Sequence, residues 1–221
     1  MNLNKHSSFF DPNMDLTESI HIIGTGAVGS SLIELMARLG VPKIHIYDFD
    51  TVSSHNITNQ MFFDNQIGQP KEEAVTTIAQ MINPAIEIIK HGEYISQPLA
   101  GYVFLCVDNI ELRKKICEDN LYNFSIKAVF DIRMRLTDAQ GYCANWSIPK
   151  EKENLLKTMN FTREEAAEST PVSACGTSLN VTTTVRLITS YQISNWINFI
   201  KGNDYKKVIL IDAFEYNLTT F

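Results

Sequence analysis

Two kinds of feature are missing from this 221-residue chain: paired cysteines and long apolar runs. Cys106, Cys117, Cys143 and Cys175 are spread singly. That spacing excludes a zinc ribbon and argues against a disulfide framework in a chain this long. No apolar stretch approaches the ~20 residues a bilayer span needs. The first twenty residues mix Asn, Lys, His, Asp and Glu and lack the apolar core of a secretory signal. Positive charge is also scarce. Lys and Arg number 19 against 25 Asp and Glu, a net charge of −6 that gives no electrostatic footprint for nucleic acid. Internal repeats and low-complexity tracts are absent. These absences predict a reduced, cytoplasmic protein with neither a membrane nor a nucleic acid among its partners.

What is present is the composition of an ordinary globular protein, 44% hydrophobic and 20% charged. At this length a single domain with a sizeable core is expected over 1–221. Residues 1–18 read as an arm or short helix. Ile20 to Ile23 is a short apolar strand stopped by Gly24-Thr25-Gly26. Val28, Leu32, Leu35, Met36 and Leu39 then recur at helical spacing up to Gly40 and Pro42, and Ile44 to Tyr47 forms the second strand. A strand–helix–strand unit implies a crossover and parallel strands. The alternation continues with a helix over 70–81, an extended segment over 86–89, a strand over 102–107, a helix over 110–122 and a strand over 126–130. An antiparallel strand is expected over 141–146. A polar excursion over 149–176 carries one or two short exposed helices. A long helix over 177–199, a strand over 208–211 and a tail over 217–221 complete the chain. The fold class predicted is α/β: a doubly wound, Rossmann-like, mostly parallel sheet with helices on both faces and an antiparallel extension.

Three segments carry chemistry. Gly24-Thr25-Gly26-Ala27-Val28-Gly29 joins strand to helix, where glycines permit a tight turn and bring backbone close to a phosphate at the helix N-terminus. Asp48 ends the second strand, where an acid can accept hydrogen bonds from ribose hydroxyls. The glycines and Asp48 alone predict a nucleotide without separating NAD from ATP; a glycine turn kept for helix packing is the bland alternative. The second segment runs from Asp50 through His55, Asn56, Asn59 and Gln60 to Lys71. Its amides can grip phosphate oxygens and the adenosine, and its lysine can neutralise triphosphate charge. The third is Asp108-Asn109, with Arg113 one turn into the next helix. Asp108 falls at the carboxyl end of a strand, where a carboxylate can hold Mg²⁺ alongside phosphate oxygens.

With these three ordered motifs, the chain resembles the ThiF/MoeB/HesA family, relatives of the ubiquitin-activating enzymes. The likeness runs from Ile22 to Lys71 and through Asp108, Asn109 and Arg113, about half the chain. It implies an ATP- and Mg²⁺-dependent adenylyltransferase that activates a carboxylate, the C-terminus of a small ubiquitin-like protein or peptide. It places Gly24, Gly26, Ala27 and Gly29 around the nucleotide, Asp48 on ribose and Asn56, Gln60 and Lys71 on phosphate. Asp50, Asn59 and Asn109 join the nucleotide-contacting set. Asp108 becomes the Mg²⁺ ligand, and Asp108 and Lys71 the catalytic pair. Homodimerisation through sheet-edge helices is also implied.

Two departures stand out. Asn59 occupies a position where the family usually has arginine, and no arginine precedes Arg38, whereas an arginine often arrives from the N-terminal arm. Each such charge is commonly worth roughly 3 kcal/mol to the developing phosphate charge. Lys5, Arg133 and Arg135 are candidate substitutes. Cys175, just ahead of the long helix, is a candidate thioester-forming nucleophile, although a small residue packed beside the nucleotide-binding glycines is the more economical reading. Cys106, Cys117 and Cys143 fall on apolar faces as core residues. His21 and His45 lie within strands as satisfied core or rim residues, and His55 alone lies near the motifs. Two alternatives stay open: a ThiF-like binding module that has lost catalysis, and an NAD-dependent oxidoreductase, which would leave the amide segment, Lys71 and Asp108 unexplained.

Overall fold

β1 (Ile20–Ile23) is entirely buried and lies between two parallel neighbours, β2 (Lys43–Tyr47) and β4 (Gly101–Leu105). Four consecutive buried residues are what a strand covered on both faces requires. In the computed structural model of the chain, the described residues are 1–161, 165 and 181–221. They form an eight-stranded sheet in the order β3-β2-β1-β4-β5-β6-β7-β8, with β3 Glu87–Lys90, β5 Ile126–Met134, β6 Asp138–Asn145, β7 Val208–Asp212 and β8 Asn217–Thr220. The first five strands are parallel, and β6, β7 and β8 add antiparallel. The expected doubly wound sheet with an antiparallel extension is therefore what the chain forms.

Both faces are covered. α2 (Ala27–Arg38), α3 (Lys71–Ile82) and the long α6 (Thr182–Ile200) pack Leu32, Ile33, Val75, Ile188 and Trp196 against one face. α4 (Ile110–Asp119) and α5 (Pro149–Lys157) pack Ile116, Cys117 and Leu155 against the other. Trp196 lies edge-on to Tyr102 and Phe104, with ring centroids 6.0 and 6.1 Å apart, and Phe104 stacks on Phe130 at 4.7 Å. Such pairs add ~0.5–1.5 kcal/mol each beyond area burial and fix α6 across β4 and β5. α2 stops where Gly40 (φ 81°) donates to the Ala37 carbonyl and Val41 donates to that of Met36, a left-handed turn open to glycine.

Several boundaries differ from expectation. The tail over 217–221 contributes strand β8, paired to β7 from Ile209↔Thr220 to Asp212↔Asn217. β5 runs four residues beyond Phe130 because β6 pairs with it as far as Met134. The arm contains only the four-residue α1 (Pro12–Asp15), started by the Asp11 side chain. α5 lies in the predicted polar excursion yet buries Glu151, Lys152 and Leu155. α6 begins at Thr182, and the part of the predicted long helix before residue 181 lies outside the described residues.

Candidate functional site

Ile23 pairs in register with both Tyr47 and Leu105. The chain therefore leaves the sheet at one level in three places, at Gly24, Asp48 and Cys106. The helices after β1 and β2 cover one face and the helix after β4 covers the other, so the crevice at β1 and β4 is the switch point where such sheets bind ligands.

Gly24 (φ 93°) is enforced twice: L side chains rarely adopt that φ, and a Cβ would lie 2.8 Å from the backbone of Cys106 and Val107. At Gly29 a Cβ would lie 1.9 Å from the Gly24 carbonyl oxygen. Both glycines have a packing reason. Gly26 differs: nothing lies within 4 Å of its would-be Cβ. It is also the N-cap of α2 and makes no side-chain cap. The space beside Gly26 is therefore open at the start of a twelve-residue helix, a place that suits a phosphate.

Asp48 is held by this same loop. Its Oδ2 accepts from the Thr25 amide at 2.7 Å and hydroxyl at 2.9 Å, and its Oδ1 accepts from the Asp50 amide at 2.9 Å. A carboxylate has about four acceptor positions, so capacity remains for a ribose hydroxyl. Glu72 supports it from below, accepting from the amides of Asp48 (3.4 Å), His91 (3.1 Å) and Gly92 (3.0 Å), and burial pushes its carboxyl up. Sequence reading missed Thr25 and Glu72. The threonine between two glycines was the available signal.

Residues 50–52 and 68–71 are zipped together by Val52 N–H to the Gln69 carbonyl, Gly68 N–H to that of Val52 and Lys71 N–H to that of Asp50. The zipper places the buried Lys71 ammonium 2.8 Å from the half-exposed Asp50 carboxylate. Asn56 is buried, and its Oδ1 accepts from the Ser53 amide at 2.8 Å, capping the short helical turn over Ser54–Thr58. That cap is a structural role beside the predicted phosphate contact. Ser30, also missed, is fully buried and joins α2 to the amide segment: it donates to the Gly26 carbonyl (2.7 Å) and accepts from the Met61 amide (3.2 Å). Gln60 Oε1 is buried without a hydrogen-bond partner. Thr182 at the start of α6 donates to the Thr58 carbonyl at 2.9 Å, closing the segment from above.

After β4, Asp108 is exposed, while Asn109 caps α4 by accepting from the Leu112 amide at 3.0 Å. The predicted contact from Asn109 to nucleotide thus competes with a helix cap. Arg113 is buried; it donates to the carbonyls of Leu105 (2.8 Å) and Val107 (2.7 Å) and pairs with the fully buried Asp131.

The proposed charge substitutes are directed elsewhere. Arg133 donates to Asp131 and to Thr158 O at 2.7 Å, and Arg135 pairs with Asp138 at 2.9 Å. Lys5 belongs to the arm at the far end of α2, where Leu3 approaches Gly40 and His6 contacts the Leu39 carbonyl at 3.3 Å. Each of the five described arginines (Arg38, Arg113, Arg133, Arg135 and Arg186) is bonded to a carboxylate. Cavities of ≈ 400 Å³ beside Glu18, Tyr102 and Phe199, and of ≈ 490 Å³ beside Arg186, Leu187 and Phe214, contain none of the predicted site residues.

A sequence profile of the ThiF family matches residues 15–221. The chain belongs to the ThiF family. Ubiquitin-like modifier-activating enzyme 5 of Drosophila ananassae is 29% identical over 119 residues, covering 45% of this chain and 30% of that protein. Its counterpart in Drosophila erecta is 30% identical over 118 residues, 45% of this chain and 29% of that protein. Among solved structures, Escherichia coli MccB with ATP superposes with a TM-score of 0.68 at 16% identity, over 93% of this chain and 63% of that one. Selenomethionine PaaA gives 0.66 at 13% identity, over 93% and 64%. These structural likenesses establish the ThiF-like fold. The matched segment covers under a third of the length of those Drosophila enzymes.

Cys117 and Cys143 are buried in the core, and Cys106, partly buried, packs against it. Burial pushes the Cys106 thiol up to about 12 and also raises those of Cys117 and Cys143. Such thiols are not nucleophiles at neutral pH. Cys175 lies outside the described residues. His21 is buried, with Nδ1 2.9 Å from the Tyr47 hydroxyl and its ring stacked on His45 at 4.6 Å, in keeping with a core histidine. His55 is exposed.

Proposed function

We propose that this ThiF-family chain binds ATP with Mg²⁺ and adenylates the terminal carboxylate of a ubiquitin-like protein or peptide. The observation that carries this reading is the open, uncapped N-terminus of α2 at Gly26, set in one row with Asp48 and the β4–α4 turn bearing Asp108. Two of the three glycines have packing reasons, and the open space beside the third supports a ligand there. No group of three or more His, Cys, Asp or Glu able to hold a metal exists among the described residues. Mg²⁺ takes one or two carboxylates and completes its shell with phosphate oxygens and water, so in this reading Asp108 is its protein ligand.

In the reaction, a substrate carboxylate oxygen bonds to the α-phosphorus of ATP, the bond to the bridging oxygen breaks, and pyrophosphate leaves. The helix amides after Gly26 and the Lys71 ammonium stabilise the accumulating phosphate charge. Lys71 must exchange its contact with Asp50 for a phosphate oxygen, and the Asp50 carboxylate, half in water, is solvated on release. Asp48 orients the ribose. Asp108 would hold Mg²⁺, which would supply positive charge against the departing pyrophosphate. The similar proteins support the substrate class: ubiquitin-like modifier-activating enzymes, and an MccB structure in complex with N-formylated MccA. Homodimerisation and cytoplasmic residence remain part of this proposal. No described helix is long and apolar enough to cross a membrane.

A catalytically degenerate nucleotide-binding module is the second reading. It is favoured by Asn59 in place of arginine and by the carboxylate pairing of all five described arginines. ATP–pyrophosphate exchange separates the two. Exchange that depends on a peptide with a free C-terminal carboxylate supports the enzyme. ATP binding without exchange for any such peptide supports the module.

A further inference from the structure

Asp131 is 0% exposed, on a parallel strand, with an arginine on each side. A buried carboxylate is costly unless its pairing is complete, and here the two partners lead in opposite directions. Through Arg133 it reaches Thr158 at the end of α5, by Nη1 to the carbonyl at 2.7 Å and Nη2 to Oγ1 at 2.8 Å. Through Arg113 it reaches toward the crevice. Leu105 and Asp131 are register partners, and Arg113 grips the carbonyls of Leu105 and Val107 on either side of Cys106. Asp108 follows at once, and Asn109 is fixed by capping α4. The exposed carboxylate of Asp108 therefore stands on a two-residue span anchored at both ends. The first anchor is a guanidinium whose one charged partner among the described residues is Asp131.

We propose that Asp131 is a positioning residue for the ATP–Mg²⁺ site, acting through Arg113 on the backbone that presents Asp108. This rests on the reading that Asp108 holds Mg²⁺. Without the Asp131 charge, Arg113 is a buried cation bonded only to neutral carbonyls. It is then drawn toward water and releases Val107. Mg²⁺ demands near-ideal octahedral geometry, so a loosened Asp108 weakens the metal before it weakens the nucleotide.

The test uses Asp131→Asn, Arg113→Lys and Arg133→Met in the full chain. ATP binding is followed by calorimetry across a Mg²⁺ series and in EDTA, alongside amide exchange over Cys106–Asn109. Asp131→Asn and Arg113→Lys should raise the Mg²⁺ concentration for half-maximal binding by about tenfold or more, the usual cost of losing a group that orients a metal ligand. ATP affinity in EDTA should stay within about twofold, and exchange over 106–109 should accelerate. Arg133→Met should lower the melting temperature and leave the Mg²⁺ dependence unchanged. Wild-type Mg²⁺ dependence in either folded site-side variant overturns the proposal, as does an equal shift in Arg133→Met. A wild-type protein with no Mg²⁺-dependent ATP binding removes the underlying reading and the proposal with it.

Discussion

The three motif glycines separate packing from ligand binding in one set of variants. In Gly24→Ala the new Cβ lies 2.8 Å from the Cys106 and Val107 backbone at a φ of 93°. The left-handed conformation costs about 1–2 kcal/mol and the overpacking about 1–3 kcal/mol. For a domain of this size each kcal/mol shifts the melting temperature by roughly 2–4 °C, so a fall of about 4–20 °C is expected. Gly29→Ala should behave similarly, since a Cβ 1.9 Å from the Gly24 carbonyl forces α2 away from the turn. Gly26→Ala meets no atom within 4 Å and should cost under about 1 kcal/mol. Yet its methyl stands where a phosphate would approach the helix amides. Loss of one charge-assisted hydrogen bond, about 1.5–3 kcal/mol, weakens ATP by roughly tenfold to a hundredfold. The assays are thermal melting and ATP calorimetry on each purified variant. A Gly26→Ala protein that melts and binds ATP like wild type would refute the phosphate cradle and leave the glycines as packing devices.

Asp108→Ala should abolish Mg²⁺-dependent turnover with little change in melting temperature, because Asp108 is exposed, and Lys71→Ala should weaken ATP; unchanged binding and turnover in both would sink the site assignment. Acid stability should fall through the His21 cluster. Burial first, then the charges of His45 and His91, hold His21 down to about 4 in the folded state, so the unfolded chain binds the extra proton below about pH 6.5. Stability is then lost as pH falls from about 6.5 toward 4, by roughly 2 kcal/mol between pH 7 and 5. In His21→Phe that loss should shrink, and a pH profile parallel to wild type in urea melts would contradict it. Gly141→Ala drives a Cβ to 1.7 Å from the amide of the fully buried Gln192 and should cost about 1–3 kcal/mol. Adding Gln192→Ala should return part of that loss, and strict additivity in the double-mutant cycle would show that the two do not meet.

The nucleotide half was legible because its punctuation is chemical. Gly24, Gly40 and the strand-ending Asp48 mark β1, α2 and β2, and the structure keeps those boundaries to within a residue or two. β8 was illegible for the opposite reason: Asn217–Thr220 is exposed throughout, with no alternation, and exists only through its hydrogen bonds to β7. Asp131 directly follows the apolar strand predicted over 126–130, and the sequence carries no sign of its burial. Its burial depends on Arg113 and Arg133, and only the tertiary fold brings Arg113 beside it. The same pairing removed Arg133 as a substitute for the missing arginine. Asn109 and Asn56 show the ambiguity of amides in a motif, since both were expected on the nucleotide and both cap helical turns.

The most direct test is calorimetric titration of the wild-type chain with ATP and Mg²⁺, with NAD as control and Asp108→Ala alongside. The account predicts Mg²⁺-dependent ATP binding that Asp108→Ala loses, and no binding of NAD. Binding of NAD alone would contradict it in favour of an oxidoreductase, and silence toward both nucleotides would contradict the nucleotide site itself.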